Sequence, residues 1–254
     1  AGNILRENIS GSREVTYKGE INLVTEMDRL SERMVVETIL EAFPDHGVLA
    51  EEEAQIEKRS GFIWIIDPLD GTTNYAHGYP SFSVSIGLES SGDVIVGVVY
   101  DPMRDELFSA VRGQGAFLNG RPIAVSENEV LIRSLLATGF PYDRAVSKEN
   151  NLNYFNAMIM ASQEVRRSGS ASLDLCFVAA GRLDGYWELK LHPWDVAAGS
   201  LILREAGGMV SDFTGTQFSI RDKELVASNG RIHSLMLDIL NEVKSKRMGN
   251  FDLR

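Results

Sequence analysis

Two sheets with layered helices, an α+β half followed by an α/β half, is the architecture this sequence predicts, and three observations predict it. From Phe82 to Gly113 the chain is a succession of β-patterned segments broken by Gly, Asp and Pro, as in an antiparallel sheet. Past residue 130, short strand-like runs alternate with helical ones, as in an α/β layer. The 254 residues suffice for one large domain or two intimately packed halves, and no linker, repeat or low-complexity tract separates them. The halves are expected to be 1–130 and 131–254.

AGNILREN, at the start, reads as an amphipathic helix met in its middle at Ala1, and an upstream part is expected. VTEMDRLSERMVVETILEAFP is a helix with Thr25 as N-cap, Leu30, Met34, Val35, Ile39 and Leu40 at helical spacing, and Pro44 as its stop. GVLA and FIWII are short apolar strands. FSVSIGLE, VIVGVVYD and ELFSAVRG form the antiparallel sheet, and AFLNGRPIAV turns at Asn119-Gly120 into a hairpin. In the second half LLATGF is a strand and ENNLNYFNAMIMAS a helix. EVRRSG leads into a helix from about Ser170 to Ala180, closed by Gly181. LDGYWEL and ELVASN are strands, with the helix WDVAAGSLILREAGG between them. RIHSLMLDILNEVKSK closes the chain as an amphipathic helix with Ile232, Leu235, Met236, Ile239, Leu240 and Val243 on one face.

Charge and cysteine usage exclude some functions. A net charge of −11 argues against nucleic acid or an anionic membrane as partner. It also means that an anionic substrate needs local cations, most simply bound metal ions. No apolar run approaches the roughly 20 residues of a membrane span, and no signal peptide is legible. Cys176 is the single cysteine and sits in an apolar helical pattern, so it reads as a core thiol in a reducing, cytoplasmic compartment.

WIIDPLDGTTNY carries the chemistry. Asp67 and Asp70 follow a buried-looking strand, with Pro68 and Gly71 shaping a turn. Two carboxylates about 4 Å apart repel by ~4 kcal/mol at an effective dielectric near 20, so the pair either shares a cation or points apart as ordinary turn residues. Glu51 ends the run Val48–Ala50, where a solvated acidic loop is the alternative. Asp195 opens a helix whose next residues, Ala197, Ala198 and Gly199, allow close approach; a plain N-cap is the alternative there. Several carboxylates, each at the end of an apolar element, describe a hard-oxygen site suited to Mg²⁺ rather than Zn²⁺. His77 and His192 make no zinc set and read as structural. Gly71 offers free backbone N–H groups to an anion, and Thr72 a hydroxyl to orient a water.

Here the sequence resembles the inositol monophosphatase family of Mg²⁺-dependent, lithium-sensitive phosphatases. WIIDPLDGTTNY is similar to the family's first signature and WDVAAGSLILREAGG to its second; LVTEMD and AEEE sit where the family has corresponding elements. Ala50 departs from the glycine that commonly precedes the Glu-Glu pair. The resemblance implies the layered α/β/α/β/α sandwich of the inositol monophosphatase and fructose-1,6-bisphosphatase type. It implies that Glu51, Asp67 and the Leu69 carbonyl hold a first Mg²⁺, that Asp67, Asp70 and Asp195 hold a second, and that a third, weaker ion shares Glu51. Thr72 with Asp28 would position the attacking water, Asp28 also capping the helix at Thr25. Gly71 and Thr72 would donate N–H groups to phosphate, while Asp70, Glu188 and the backbone of Gly169, Ser170 and Ala171 would meet the substrate.

The expected reaction is hydrolysis of a small phosphorylated polyol or sugar, inositol monophosphate first, by a cytoplasmic homodimer without nucleic-acid or membrane partners. Fructose 1,6-bisphosphate is the nearest rival substrate. Arg166, Arg167 and Lys190 could meet its second phosphate, or lie at the surface or a subunit interface. A non-catalytic regulatory binding protein on the same fold is the rival from another class.

Overall fold

A computed structural model describes residues 1–10, 15–17, 23–58 and 60–249. The helices are α1 (Gly2–Asn8), α2 (Glu26–Ala42), α3 (Thr72–Ala76), α4 (Leu152–Ala161), α5 (Ala171–Ala179), α6 (Pro193–Glu205) and α7 (His233–Gly249). The first sheets comprise β1 (Val15–Tyr17), β2 (Leu23–Thr25), β3 (Gly47–Ala50), β4 (Gln55–Ile56), β5 (Phe62–Asp70), β6 (Ser83–Ser90), β7 (Asp93–Asp101), β8 (Glu106–Val111), β9 (Ala116–Leu118) and β10 (Arg121–Pro122). Then come β11 (Leu135–Thr138), β12 (Glu164–Arg166), β13 (Gly185–Leu189), β14 (Met209–Ser211) and β15 (Glu224–Ser228).

Among the described residues β1 and β2 pair as a ribbon, eight strands form a sheet in the order β10-β9-β8-β7-β6-β5-β3-β4, and five form a second in the order β12-β11-β13-β15-β14. Three apolar clusters lie between the layers. One joins α1 and α2 to the outer face of the large sheet through Val35, Ile39, Ile66 and Leu69. The second fills the space between the sheets around α5 and α6. The third joins α4 and α7 to the far face of the smaller sheet through Met158, Trp187, Val226 and Met236. The result is the expected layered sandwich. It explains why the strand runs are continuously apolar: Ile65 and Ile66 of β5 point into different clusters, as do Tyr186 and Trp187 of β13.

Several details depart from the sequence reading. β5 does not end in a turn at Pro68; it runs to Asp70 with one extra residue against β6, since Asp67 pairs with Ser85 and Asp70 with Ser83. Pro68 has no N–H to give the ladder, which favours a bulge there. EVRRSG contains the edge strand β12, and Met209–Ser211 adds the edge strand β14; both are too short to show a period. On α2 Met34 is exposed, and the buried stripe is Asp28, Ser31, Glu32, Val35 and Ile39. Val35 and Ile39 are in the core as expected, but the N-terminal half of the buried face is polar, so apolar periodicity does not mark it. Leu235 of α7 is likewise exposed.

The small residues of α6 serve close packing. A Cβ at Gly97 would lie 2.7 Å from the Ala198 carbonyl oxygen, and one at Gly87 3.0 Å from Ala197 Cβ. A Cβ at Gly199 would lie 2.8 Å from Leu175 of α5. Another element, rather than a ligand, uses the space.

Candidate active site

Two registers bring the carboxylates together. β3 and β5 are parallel with Ala50 opposite Ile66, so Glu51 and Asp67 emerge side by side, and the Glu51 N–H donates to the Ile66 carbonyl at 3.1 Å. The bulge in β5 then carries Leu69 and Asp70 to the same sheet end. α6 enters from the inner layer with Pro193 in its first turn and His192 as N-cap. Asp195 is therefore not the cap. It is the third helical residue, accepting the His192 N–H at 2.7 Å.

These groups line a cleft of about 480 Å³. Glu51, Asp67, Leu69, Asp70, Gly71, Thr72, Gly169, Ser170, Ala171, Glu188 and Asp195 all face it. Asp28 lies behind, fully buried: its Oδ1 accepts the Thr72 hydroxyl at 2.9 Å, and its Oδ2 accepts the Thr25 hydroxyl and N–H at 2.5 and 2.7 Å. Thus Asp28 is at once Thr72's partner and the capping partner of Thr25. Thr72 can alternatively donate to the Leu69 carbonyl at 3.1 Å. Gly71 precedes α3 with φ 102°, where a Cβ would crowd the Ser81 carbonyl oxygen at 3.0 Å.

Burial raises the Asp67 carboxyl well above the usual range, and Glu51, Asp70 and Asp195 raise it further. Asp195 is also raised by burial, opposed by the His192 N–H. Asp70 is raised by burial but held by the start of α5: its Oδ2 accepts Ser170 Oγ at 2.7 Å, Ser172 N at 2.8 Å and Ser172 Oγ at 2.6 Å. Glu188 is pushed up to about 7 by burial, opposed by the Tyr186 hydroxyl and Arg167. Asp28 is raised by burial and eased by its threonine donors.

This charge distribution fits divalent cations. Four carboxylates on one wall repel each other in a partly buried cleft, and cation binding is the relief that leaves them ionised. The donors are hard oxygens with no thiolate among them. Among the described residues, no group of three or more Asp, Glu, His or Cys side chains stands at metal-holding distances. Asp70 is engaged by α5, Asp195 by the His192 N–H, and Asp67 by the Leu69 N–H at 3.0 Å.

The opposite wall was largely illegible in the sequence. Thr138, the last residue of β11, and Gly139 through Asp143 beyond it face the cleft. Asn151 ties this segment down, donating to Thr138 Oγ1 and the Gly139 carbonyl and accepting from Trp187 Nε1. Tyr186 donates to Glu188 from full burial, so Glu188 is a held group rather than a solvent-facing strand residue. Asp174, buried and accepting Ser168 Oγ at 2.6 Å, also lines the cleft. Its signal was available: it is the one charged residue in ASLDLCFVA. Arg167 and Lys190 face the cleft, whereas Arg166 does not and pairs with Glu164. Lys190 already meets Asp143 and Ser147 at 2.6 and 2.8 Å. His192 stacks on Trp194 at the rim, and Cys176 is buried in the core as expected. No helix among the described residues is long and apolar enough to cross a membrane.

Comparison with known proteins covers nearly the whole chain. An inositol-1-monophosphatase from Synechocystis sp. is 50% identical over 223 residues, covering 87% of this chain and 78% of that protein. A protein of Escherichia coli named Nus factor SuhB is 43% identical over 240 residues, covering 93% and 90%. The solved inositol monophosphatase of Anabaena (Nostoc) sp. superposes with a TM-score of 0.87 at 46% identity, covering 95% and 90%. The sequence profile of the inositol monophosphatase family matches residues 1–245, and the chain belongs to that family.

Proposed function

We propose that this protein hydrolyses a phosphomonoester of a polyol or sugar, inositol monophosphate first among them, with Mg²⁺ as cofactor. One observation carries the reading: Asp67 is 2% exposed, yet Glu51, Asp70 and Asp195 crowd it on the wall of a cleft large enough for a sugar phosphate. Glu51, Asp67, the Leu69 carbonyl, Asp70 and Asp195 would hold two to three ions. Bound there, Mg²⁺ supplies charge neutralisation for phosphate and lowers the pKa of water.

The remaining steps belong to the chain's own groups. Thr72 has one hydroxyl proton, and with Asp28 taking it the oxygen's lone pairs face the cleft and can accept a hydrogen bond from a water. That fixes the water's orientation towards phosphorus, the positioning that phosphoryl transfer mainly requires. The N–H groups of Gly71 and Thr72 would hold phosphate oxygens. Glu188, aimed by Tyr186, and the Gly169–Ala171 segment would take the alcohol's hydroxyls. The products are the free alcohol and inorganic phosphate.

Phosphate release in Mg²⁺ from myo-inositol 1-phosphate, fructose 1,6-bisphosphate, histidinol phosphate and adenosine 3′,5′-bisphosphate tests the reading. Turnover of the first above the others is expected, and no turnover of any would overturn it. Arg167 in the cleft supports fructose 1,6-bisphosphate as a second substrate, although Lys190 is already engaged by Asp143. Homodimerisation, a cytoplasmic location and inhibition by lithium belong to the same reading. A second reading, a regulatory binding role, is favoured by the 43% identity to a protein named as a Nus factor. Pull-down with an Asp195→Asn variant separates it from catalysis, since a regulatory partner would be retained when turnover is lost.

A further inference from the structure

α2 presents three polar side chains to the active-site cleft's supporting shell, and each grips a different chain segment. Asp28 accepts from Thr72 at 2.9 Å. Ser31 donates to the Pro68 carbonyl at 2.6 Å, at the bulge between Asp67 and Asp70. Glu32 accepts three consecutive backbone N–H groups: Glu52 on Oε2, Glu53 and Ala54 on Oε1, each at 2.9 Å. The spacing 28, 31, 32 is one helical face, so the clasp follows from a single element. Glu32 is 4% exposed.

The segment that Glu32 grips bends sharply just past Glu51. Ala50 N–H pairs back to the Ala54 carbonyl at 2.9 Å, so residues 51–53 form a tight excursion at the end of β3. A tight turn leaves consecutive N–H groups aimed at one point, and a buried carboxylate there is the strong, charge-assisted way to satisfy them. A glutamate within an amphipathic helix is ordinarily solvated; this one, in the second turn of α2, is turned inward to a loop.

We propose that Glu32 is a positioning residue for the metal site: by locking residues 52–54 it sets where the Glu51 carboxylate stands relative to Asp67. This rests on the proposed Mg²⁺-dependent reading. Partners that orient ligands typically account for 10–100-fold in metal affinity. The isosteric Glu32→Gln keeps the oxygen that receives Glu53 and Ala54 and turns an NH₂ against the Glu52 N–H.

Titration calorimetry of the full chain with Mg²⁺ alone, at a temperature where circular dichroism shows both proteins folded, tests this. Glu32→Gln is expected to weaken the Mg²⁺ Kd about 10-fold or more, with the activity curve shifted to higher Mg²⁺ and the substrate KM at saturating Mg²⁺ little changed. A lower melting temperature with an unaltered Kd would make Glu32 merely structural and overturn the proposal. Wild-type protein that binds no Mg²⁺ would overturn the metal reading along with it. Hydrogen exchange on the wild type is independent of any variant's folding: the Glu52, Glu53 and Ala54 amides are expected to be protected without Mg²⁺, and exchange at unprotected rates would overturn the clasp.

Discussion

At the residue scale the carboxylates are not interchangeable, because each is fastened differently. Asp195 has one backbone donor, which an asparagine oxygen can still accept, so Asp195→Asn should keep the fold and lose more than about 100-fold in turnover, beyond what removing an orienting partner costs. Phosphate-release kinetics beside a melting curve check it. Asp70 accepts from Ser170, Ala171 and Ser172, so Asp70→Asn sets an NH₂ against some of those donors. It should lose turnover and also destabilise by about 1–3 kcal/mol, read by urea unfolding. Gly139→Ala is the complementary test on the other wall. Its Cβ would clash with the Glu188 carboxylate, so Glu188 must move, and a several-fold rise in KM for a polyol phosphate is expected without loss of fold. The acidic residues at strand and helix ends were readable because carboxylates there need a reason. Asn151 was not, since its partners Thr138, Gly139 and Trp187 lie on other elements; nor was Tyr186, which reaches Glu188 along the same strand but reads as one more member of a buried apolar run.

At the element scale the uneven legibility has a physical cause. β5, β13 and α6 are buried on more than one side, so their apolar runs stand out in sequence. Edge strands β12 and β14 are three residues each and carry no such mark. Apolar spacing finds α2 as a helix and places Val35 and Ile39 in the core, but it includes the exposed Met34 and does not mark the polar start of the buried face, Asp28, Ser31 and Glu32. A polar buried stripe is invisible to hydrophobic periodicity and is itself a pointer to a site. α6 shows the opposite case, where Ala197 and Ala198 press on Gly87 and Gly97 without side chains between. Gly97→Ala should cost about 1–3 kcal/mol by overpacking and tilt the helix that carries Asp195. Thermal unfolding and Mg²⁺ titration of that variant would both shift; an unchanged pair would mean the seam is slack.

For the whole molecule, the carboxylate cluster links stability to pH and metal. A carboxyl raised in the fold is protonated there at a pH where the unfolded chain has already released its proton, so stability falls as pH rises from the ordinary value towards the folded one. Glu188 does this between 4.5 and about 7, and Asp67 and Asp195 act in the same direction. His233 acts oppositely: buried between the Ser211 and Ser228 hydroxyls and lowered to about 4, it removes stability as pH falls below its ordinary 6.5. Between pH 6.5 and 8 the carboxylates therefore dominate. With chelator present the melting temperature should fall across that window, and Mg²⁺ should raise it most at pH 8. Differential scanning calorimetry at both pH values with and without Mg²⁺ decides it; a flat response in all four would contradict a metal-binding carboxylate cluster.

The cleft has one wall cemented into the sandwich and one to which a single excursion of the chain contributes Gly139 through Asp143. Residues 139 to 150 leave β11 and return at Asn151, which spans both ends of the excursion by holding Thr138, Gly139 and Trp187. Such a segment is a cassette. Exchanging Phe140–Asn150 for a loop of another length, while keeping Gly139 and Asn151, would remodel what the cleft admits, release Lys190 from Asp143, and leave Glu51, Asp67, Asp70 and Asp195 in place. Libraries aimed at new phosphorylated substrates belong in that stretch.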